Sequence, residues 1–463
     1  MRICFLIPDG VGIRNYLYSD VISHLKSAGH EVILWHSLDP GMIELTEKRF
    51  GEKFEQHRFE HQPDNTLVQL YRESARFARL VLNAKQKNNP TIMTNWIGGI
   101  GSFKNKALMN MAELVGKQAK TYEDTAALEN KKFKLIRKSR KFKNAIQKIK
   151  ELNPDLIFCT HQRVFSVTAT MEAARYLNIP TATAIFSWDN LPKGRLPFRA
   201  DRYFVWSDYM KNELLEYYPE IPKHQIDITG TPQFDFYSDQ NLIMDKEVFA
   251  NKYGLDASKN WVCFSGCDSI TSPNDALYLK DVASSLNEQD DIQLIFRPVP
   301  VESEKRFQTV LEKHKEVVLF KPIWEKGKDW ANYFPLFEDI QVLVNIAYHC
   351  KVVVNIGSTM ALDFTSFGNV GLYLNYDHAE SKANWSVDTT YKFEHFKSMD
   401  GLKAVGWINS PAEILPMIQK ALEKPEEISP DNKKWFERIV QPNSKLASAR
   451  VAEALAQMVN KDK

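Results

Sequence analysis

Residues 352–368 read VVVNIGSTMALDFTSFG. A β-branched run stops at Asn355, and Gly357, Ser358 and Thr359 then lead into a stretch with helical spacing. This is the pattern of a buried parallel strand that turns tightly into a helix. Gly357 allows close approach of a ligand to the backbone. Ser358 and Thr359 bring hydroxyls and N–H groups to a helix start, where the dipole favours an anion. The geometry suits a diphosphate at these three residues, with Asp363 one turn on in reach of a ribose hydroxyl. An ordinary helix cap with a solvated Asp363 is the plainer account of the same residues. Arg297 shifts the balance toward the ligand: it ends the apolar run IQLIFRP (292–298), and Pro298 fixes the chain beyond it. An arginine, a hydroxyl-bearing helix start and the SGCDS turn (265–269) together look like diphosphate recognition.

Outward from this stretch, short apolar runs alternate with helical patterns along the whole chain, which predicts an α/β fold with parallel sheets. Strands are expected at 2–7, 31–36, 154–160, 179–186, 202–206 and 225–230. A second series is expected at 260–266, 292–298, 316–320, 350–355 and 370–375. The chain of 463 residues is too long for one ordinary core. The two series divide it into an N-terminal domain over 1–235, with a basic helical insertion at about 107–150, and a C-terminal domain over 236–440. A final helix occupies 441–463. A charged fraction of 25% and a net charge of +2 fit a soluble globular protein and give no global nucleic-acid signature. The start, MRICFLIPDG, lacks the apolar core of a signal peptide, and no apolar run is long enough to span a membrane. The five scattered cysteines read as buried thiols of a reducing compartment, and Cys263 and Cys267 are too isolated for a zinc site. A cytoplasmic location and no metal are the expectations.

In open parallel sheets ligands bind outside the carboxyl ends of the strands. In the first half those ends are followed by PDGVGIRN (8–15), HQR (161–163) and SWDNLPKGR (187–195). Gly10 and Gly12 fit the start of a dinucleotide fingerprint, but Asn15 replaces its third glycine, and no acidic residue ends the second strand. A nicotinamide cofactor is therefore not expected. The sequence has neither a P-loop nor a D-x-D pair, so the charge of a leaving diphosphate would fall to arginine and helix N-termini.

The strand–SG turn, LIFRPVP, VVVNIGSTMALDFTSFG and the closing SARVAEAL resemble glycosyltransferases of the GT-B architecture. The likeness is to bacterial surface-polysaccharide (capsule and O-antigen) enzymes, and to the related glycerophosphotransferases and UDP-N-acetylglucosamine epimerases. FSWDNLPKGR, DRYFVWSDYMKNEL and ITGTPQFD extend the resemblance over most of the chain, patchily between 40 and 150. It implies two facing Rossmann-like domains with a cleft between them, a nucleotide-sugar donor on the second, an acceptor on the first, and a last helix returning to the first. Carried over, Arg297, Gly357, Ser358 and Thr359 would hold the diphosphate, Asp363 the ribose or sugar, and Gly266 the approach to the donor. Asn355 stands where many retaining members carry an acid eight residues before Asp363, which leaves the stereochemistry open. FGNVGLYLN replaces a frequent Gly-Lys-Pro.

The implied activity is metal-independent transfer of a sugar from a nucleotide donor, UDP-linked by expectation, to a lipid-linked or growing surface polysaccharide. The alternatives are a CDP-polyol phosphotransferase, a nucleotide-sugar epimerase, and a glycan-binding protein without activity. An inverting transferase needs a general base. The candidates are Asp9, beside two glycines that leave room for a ligand, Asp189, beside an aromatic suited to a sugar, and His161, since imidazole is the commonest base. Each has a plainer account as a turn or loop residue. Gly10, Gly12, Arg14, Asn15, Arg163, Trp188, Asn190 and Lys193 are the acceptor-side candidates, with Arg14, Arg163 and Lys193 suited to an anionic acceptor. KKFKLIRKSRKFKNAIQKIK (131–150) has the apolar spacing of a basic amphipathic helix. It reads first as a solvated face, then as a dock for the inner face of an anionic membrane, and last as a nucleic-acid contact.

Overall fold

A computed structural model describes residues 1–99, 102–327, 332–381 and 385–460. The chain divides into two compact units. The first holds residues up to Gln233, Gly327, Asn332 and the segment from Ile439. The second holds Phe234–Lys326 and Tyr333–Arg438.

The first unit is built on seven parallel strands: β1 (Arg2–Ile7), β2 (Glu31–His36), β3 (Glu55–Arg58), β4 (Leu156–Cys159), β5 (Thr181–Ala184), β6 (Arg202–Val205) and β7 (Ile226–Ile228). Their spatial order is β3-β2-β1-β4-β5-β6-β7. The central strands ICFLI and LIFC are buried throughout, as strands covered by helices on both faces must be. The chain moves outward from β1 in one direction, then returns and moves outward from β4 in the other. The switch point lies between β1 and β4, which pair Ile3 with Leu156 and Leu6 with Cys159. The helix Ala447–Asn460 packs on the helix Val21–Ser27 and on β4 of this unit.

The second unit repeats the plan. Its strands are β8 (Asn260–Ser265), β9 (Ile292–Arg297), β10 (Val318–Leu319), β13 (Val352–Asn355), β14 (Val370–Leu374) and β15 (Gly406–Ile408), with a short antiparallel hairpin of β11 (Trp324–Lys326) and β12 (Tyr333–Pro335). The six parallel strands lie in the order β10-β9-β8-β13-β14-β15, so the switch point falls between β8 and β13. Val262, Phe264, Val352, Val354 and Leu372 centre its core.

Three local readings change. The helical pattern after β1 does not start as one regular helix: Ile13–Leu17 is a π-helical turn and the regular helix begins at Val21. The wide turn places Asn15 inside, where its Nδ2 donates to Thr231 Oγ1 at 3.4 Å. The basic segment is two helices, Tyr122–Arg137 and Arg140–Leu152, because Ser139 caps the second by accepting from Phe142 N. Phe142, Ala145, Ile149 and Leu152 on that second helix are buried in the unit, so its apolar face is occupied by the fold and is not open to a bilayer. Lys132 is buried too: it donates to Pro197 O at 2.7 Å, and burial lowers its ammonium to about 8. Finally, the helix after Thr359 is a single short element, Met360–Thr365. Among the described residues no helix is long and apolar enough to cross a membrane.

Candidate functional site

At the first switch point β1 runs into Pro8-Asp9-Gly10 and β4 into Thr160-His161-Gln162. The two strands are hydrogen-bonded neighbours, so residues 152 apart in sequence meet: His161 Nδ1 lies 2.7 Å from Asp9 Oδ2. Asp9 Oδ1 accepts from Val11 N, which fixes the carboxylate in its turn. Both side chains are almost fully buried. His161 Nε2 is buried with no hydrogen-bonding partner among the described residues. In the neutral tautomer that donates Nδ1–H to the carboxylate, Nε2 presents a lone pair, the arrangement that orients an imidazole for proton abstraction. A buried polar atom left unsatisfied at the carboxyl end of a parallel strand calls for a functional account.

The loop after β5 closes over this position. Gln162 Nε2 donates to Asn190 Oδ1 at 3.1 Å, and Arg163 Nη1 donates to the same oxygen at 3.4 Å. Asp189, the third candidate base, accepts from Asn190 Nδ2 and is ion-paired with Lys193. Arg163 lies in the field of both Asp189 and Asp9, while burial lowers its guanidinium. Arg14 donates to Gln233 Oε1 at 2.7 Å and to Asn15 Oδ1. Gly12 does not leave ligand space: a Cβ there would collide with Thr160, so this glycine lets the first loop sit on β4. Gly10 accepts from Ile13 N in the same turn. Trp188, expected to stack on a sugar, is 2% exposed and belongs to the core.

At the second switch point the loops after β8 and β13 touch through Cys267 Sγ, which donates to Ile356 O at 3.3 Å. Asn355 ends its strand because its Oδ1 accepts from Ser358 N at 2.9 Å and closes the turn. Gly357 sits at φ +64°, and a Cβ there would strike the Phe396 ring. Ser358 Oγ accepts from Met360 N, while Ser358 O accepts from Tyr373 Oη. Ser358 and Thr359 are partly exposed and Asp363 is buried. The six-residue helix that follows is too short to lend much dipole. What this turn offers a ligand is backbone and hydroxyl groups.

Arg297 does not extend free into a crevice. Its Nη2 donates to both oxygens of Asp339, at 2.7 and 2.8 Å, and the pair is buried. Asp339 also accepts from Ile323 N and Trp324 Nε1. The arginine thus ties β9 to the helix Phe337–His349, and Nη1 is buried without a partner among the described residues. Beside Gly266 stands Asp275, which the sequence reading missed. Its carboxyl is fully buried and accepts from Cys267 N and from Arg306 Nη2. Burial raises its pKa to about 7 against the opposing pull of these donors.

Neither a protein-family model nor a curated protein matches the chain. Solved structures do. S. aureus MnaA, in a co-structure with UDP, aligns with 99% of this chain and 97% of its own at a TM-score of 0.56 and 12% identity. UDP-GlcNAc 2-epimerase from Neisseria meningitidis, bound to UDP-GlcNAc, aligns over 100% of both chains at a TM-score of 0.51 and 11% identity. The wall teichoic acid polymerase TagF, in a structure soaked with CDPG, aligns with 99% of this chain and 89% of its own at a TM-score of 0.50 and 8% identity. At such identities the likeness establishes the fold. The chain is an α/β protein of the GT-B type, built from two Rossmann-like units.

Proposed function

We propose that this protein is an enzyme that takes a sugar from a nucleotide-diphosphate donor and transfers it to a growing surface polysaccharide. The observation that carries the proposal is the Asp9–His161 pair at the first switch point, with Nε2 buried and without a partner. In this reading His161 is the base and Asp9 a positioning residue. Nε2 accepts the proton of an acceptor hydroxyl as its oxygen bonds to the anomeric carbon. Asp9 steadies the imidazolium that forms. The bond from the anomeric carbon to the diphosphate breaks, and the nucleoside diphosphate leaves with the bonding electrons.

The same proposal includes a UDP-linked donor, a lipid-linked or oligosaccharide acceptor and a cytoplasmic site of action. It includes no metal requirement, since the sequence lacks the carboxylate pair that a metal-bound diphosphate uses. Exposed Lys131, Lys134, Lys138, Arg140 and Lys143 retain the charge for contact with an anionic membrane surface, by electrostatics alone.

The test is release of nucleoside diphosphate from a panel of nucleotide sugars, with and without acceptor glycan and in the presence of EDTA. Acceptor-dependent release that survives EDTA is the expected result. A second reading, a nucleotide-sugar epimerase, has the fold of the two UDP-GlcNAc 2-epimerase structures in its favour. It predicts uptake of deuterium from D2O into the sugar of UDP-GlcNAc with no acceptor present, which the transferase reading excludes.

A further inference from the structure

A second cluster stands in the first unit beside the dyad. The helix Thr66–Gln86 carries Arg72 and Arg76 one turn apart on the face that covers the loop after β4. The Arg72 guanidinium lies 4.1 Å from the centre of the Phe165 ring in that loop. Gly194, at φ +63°, brings the loop after β5 onto the same helix: a Cβ there would lie 3.2 Å from Leu80 and 3.8 Å from the Arg76 carbonyl oxygen. Arg195 is thereby placed in the field of Arg72, Arg76 and Arg163.

The nearby carboxylates are already engaged. Glu73 pairs with Arg72 at 2.8 Å and is 3.5 Å from Arg76; Asp64 pairs with Arg72 and Lys141, and Asp189 with Lys193. Arg195 has no hydrogen bond or ion pair among the described residues. The Nε groups of Arg76 and Arg163 are buried without a hydrogen-bonding partner among them. Burial, with the repulsion of Arg76 and Arg163 next, pushes the Arg195 guanidinium down to about 9. Holding like charges together under cover is unfavourable in the free protein, and an anion at their centre reverses the sign.

We propose that Arg76, Arg163 and Arg195 form a binding site for a phosphate-bearing group of the acceptor, a phosphodiester or diphosphate. The assignment to the acceptor rests on the transferase reading; the anion site itself does not. The Nε–H groups of Arg76 and Arg163 and the guanidinium of Arg195, none of them hydrogen-bonded to a carboxylate, suit a polyvalent oxyanion. Arg163 is two residues from His161, so a phosphate held here would bring the group attached to it to the base.

The experiment is calorimetric titration of inorganic pyrophosphate with UDP saturating, on the whole protein and on Arg195→Gln and Arg163→Gln, with melting curves in phosphate-free buffer. The site predicts that each variant weakens pyrophosphate binding about tenfold or more. It also predicts that unliganded Arg195→Gln melts no lower than the parent, because a repulsion has been removed. A parallel arm uses phosphatidylcholine vesicles with and without polyprenyl diphosphate: a tighter response there assigns the phosphate to a lipid carrier, a tighter response to pyrophosphate a soluble one. Unchanged binding in the variants, no binding by the parent in either arm, or an Arg195→Gln protein that fails to fold would overturn the proposal. Pyrophosphate binding through Arg195 in a protein that binds no nucleotide would leave the site standing and remove the transferase reading.

Discussion

At the first switch point β1 and β4 end in Asp9 and His161, and side chains meet. At the second, β8 and β13 end in turns that contain Gly266 and Gly357, and what they offer is backbone. Both follow from one topology, in which the strands either side of the switch point send their connections opposite ways and leave a gap above their ends. The first unit fills that gap with a buried acid–base pair flanked by arginines. The second lines it with N–H and hydroxyl groups and keeps its ionisable residues, Arg297–Asp339 and Asp275–Arg306, as ties beneath. A proton-handling site needs a particular side chain, whereas an anion-holding turn needs a particular backbone path. Substitutions should therefore act differently on the two.

The largest effect is expected at the first. His161→Gln keeps a polar group of similar reach but removes the base, and should lower turnover about 10²–10⁴-fold while nucleotide affinity stays unchanged. Steady-state rates and nucleotide titration on the same preparation check this. Asp9→Asn should lower turnover less and distort its pH profile, because Asp9 acts through His161.

Next is a stability effect in the second unit. Arg297→Met leaves Asp339 buried without its cation and should cost about 3–5 kcal/mol by denaturant unfolding. Arg297→Met with Asp339→Leu should recover most of that loss. If the single variant were as stable as the parent and only nucleotide binding were lost, Arg297 would be a ligand-facing residue after all.

Gly357→Ala should cost about 1–2 kcal/mol for the left-handed backbone alone, with the Phe396 clash added, and should weaken nucleotide binding. Ser358→Ala, which keeps the backbone path, should do much less.

The smallest effect is a pH slope. Asp275 binds its proton more tightly folded than unfolded, so its contribution to stability is present below its unfolded value. That contribution is lost as pH rises from the ordinary 3.8 through about 7. Melting temperatures across that window should fall more for the parent than for Asp275→Asn. Parallel curves would contradict the assignment.

How much of this was legible in the sequence follows the same division. The central strands were readable because burial on both faces makes them unbroken apolar runs: RICFLI and EVILWH stand as read, and the runs at 260–266 and 292–298 end one residue sooner, at Ser265 and Arg297. β3 was not, since EQHR is an exposed edge strand with no apolar signal, and GWI in β15 is too short to stand out. The loops that carry the chemistry could be found from the ends of the strands. Their partners could not. Asp9 and His161 were read singly because only strand order brings them together. Arg297 was read as free because nothing in IQLIFRP announces Asp339, which lies 42 residues on. Arg76, on an amphipathic helix, left no mark, and Arg195 closes the ligand-side loop SWDNLPKGR without standing out from it; only the fold at Gly194 makes them neighbours.

The measurement that bears most directly on the account is the melting temperature of the protein and of His161→Gln with UDP, CDP, GDP and dTDP. A ligand that binds only the folded state must raise it. The expected result is that one diphosphate raises it in both proteins alike, since His161 belongs to the first unit and the proposed nucleotide turn, Gly357–Thr359, to the second. No shift with any diphosphate would contradict a nucleotide-sugar enzyme.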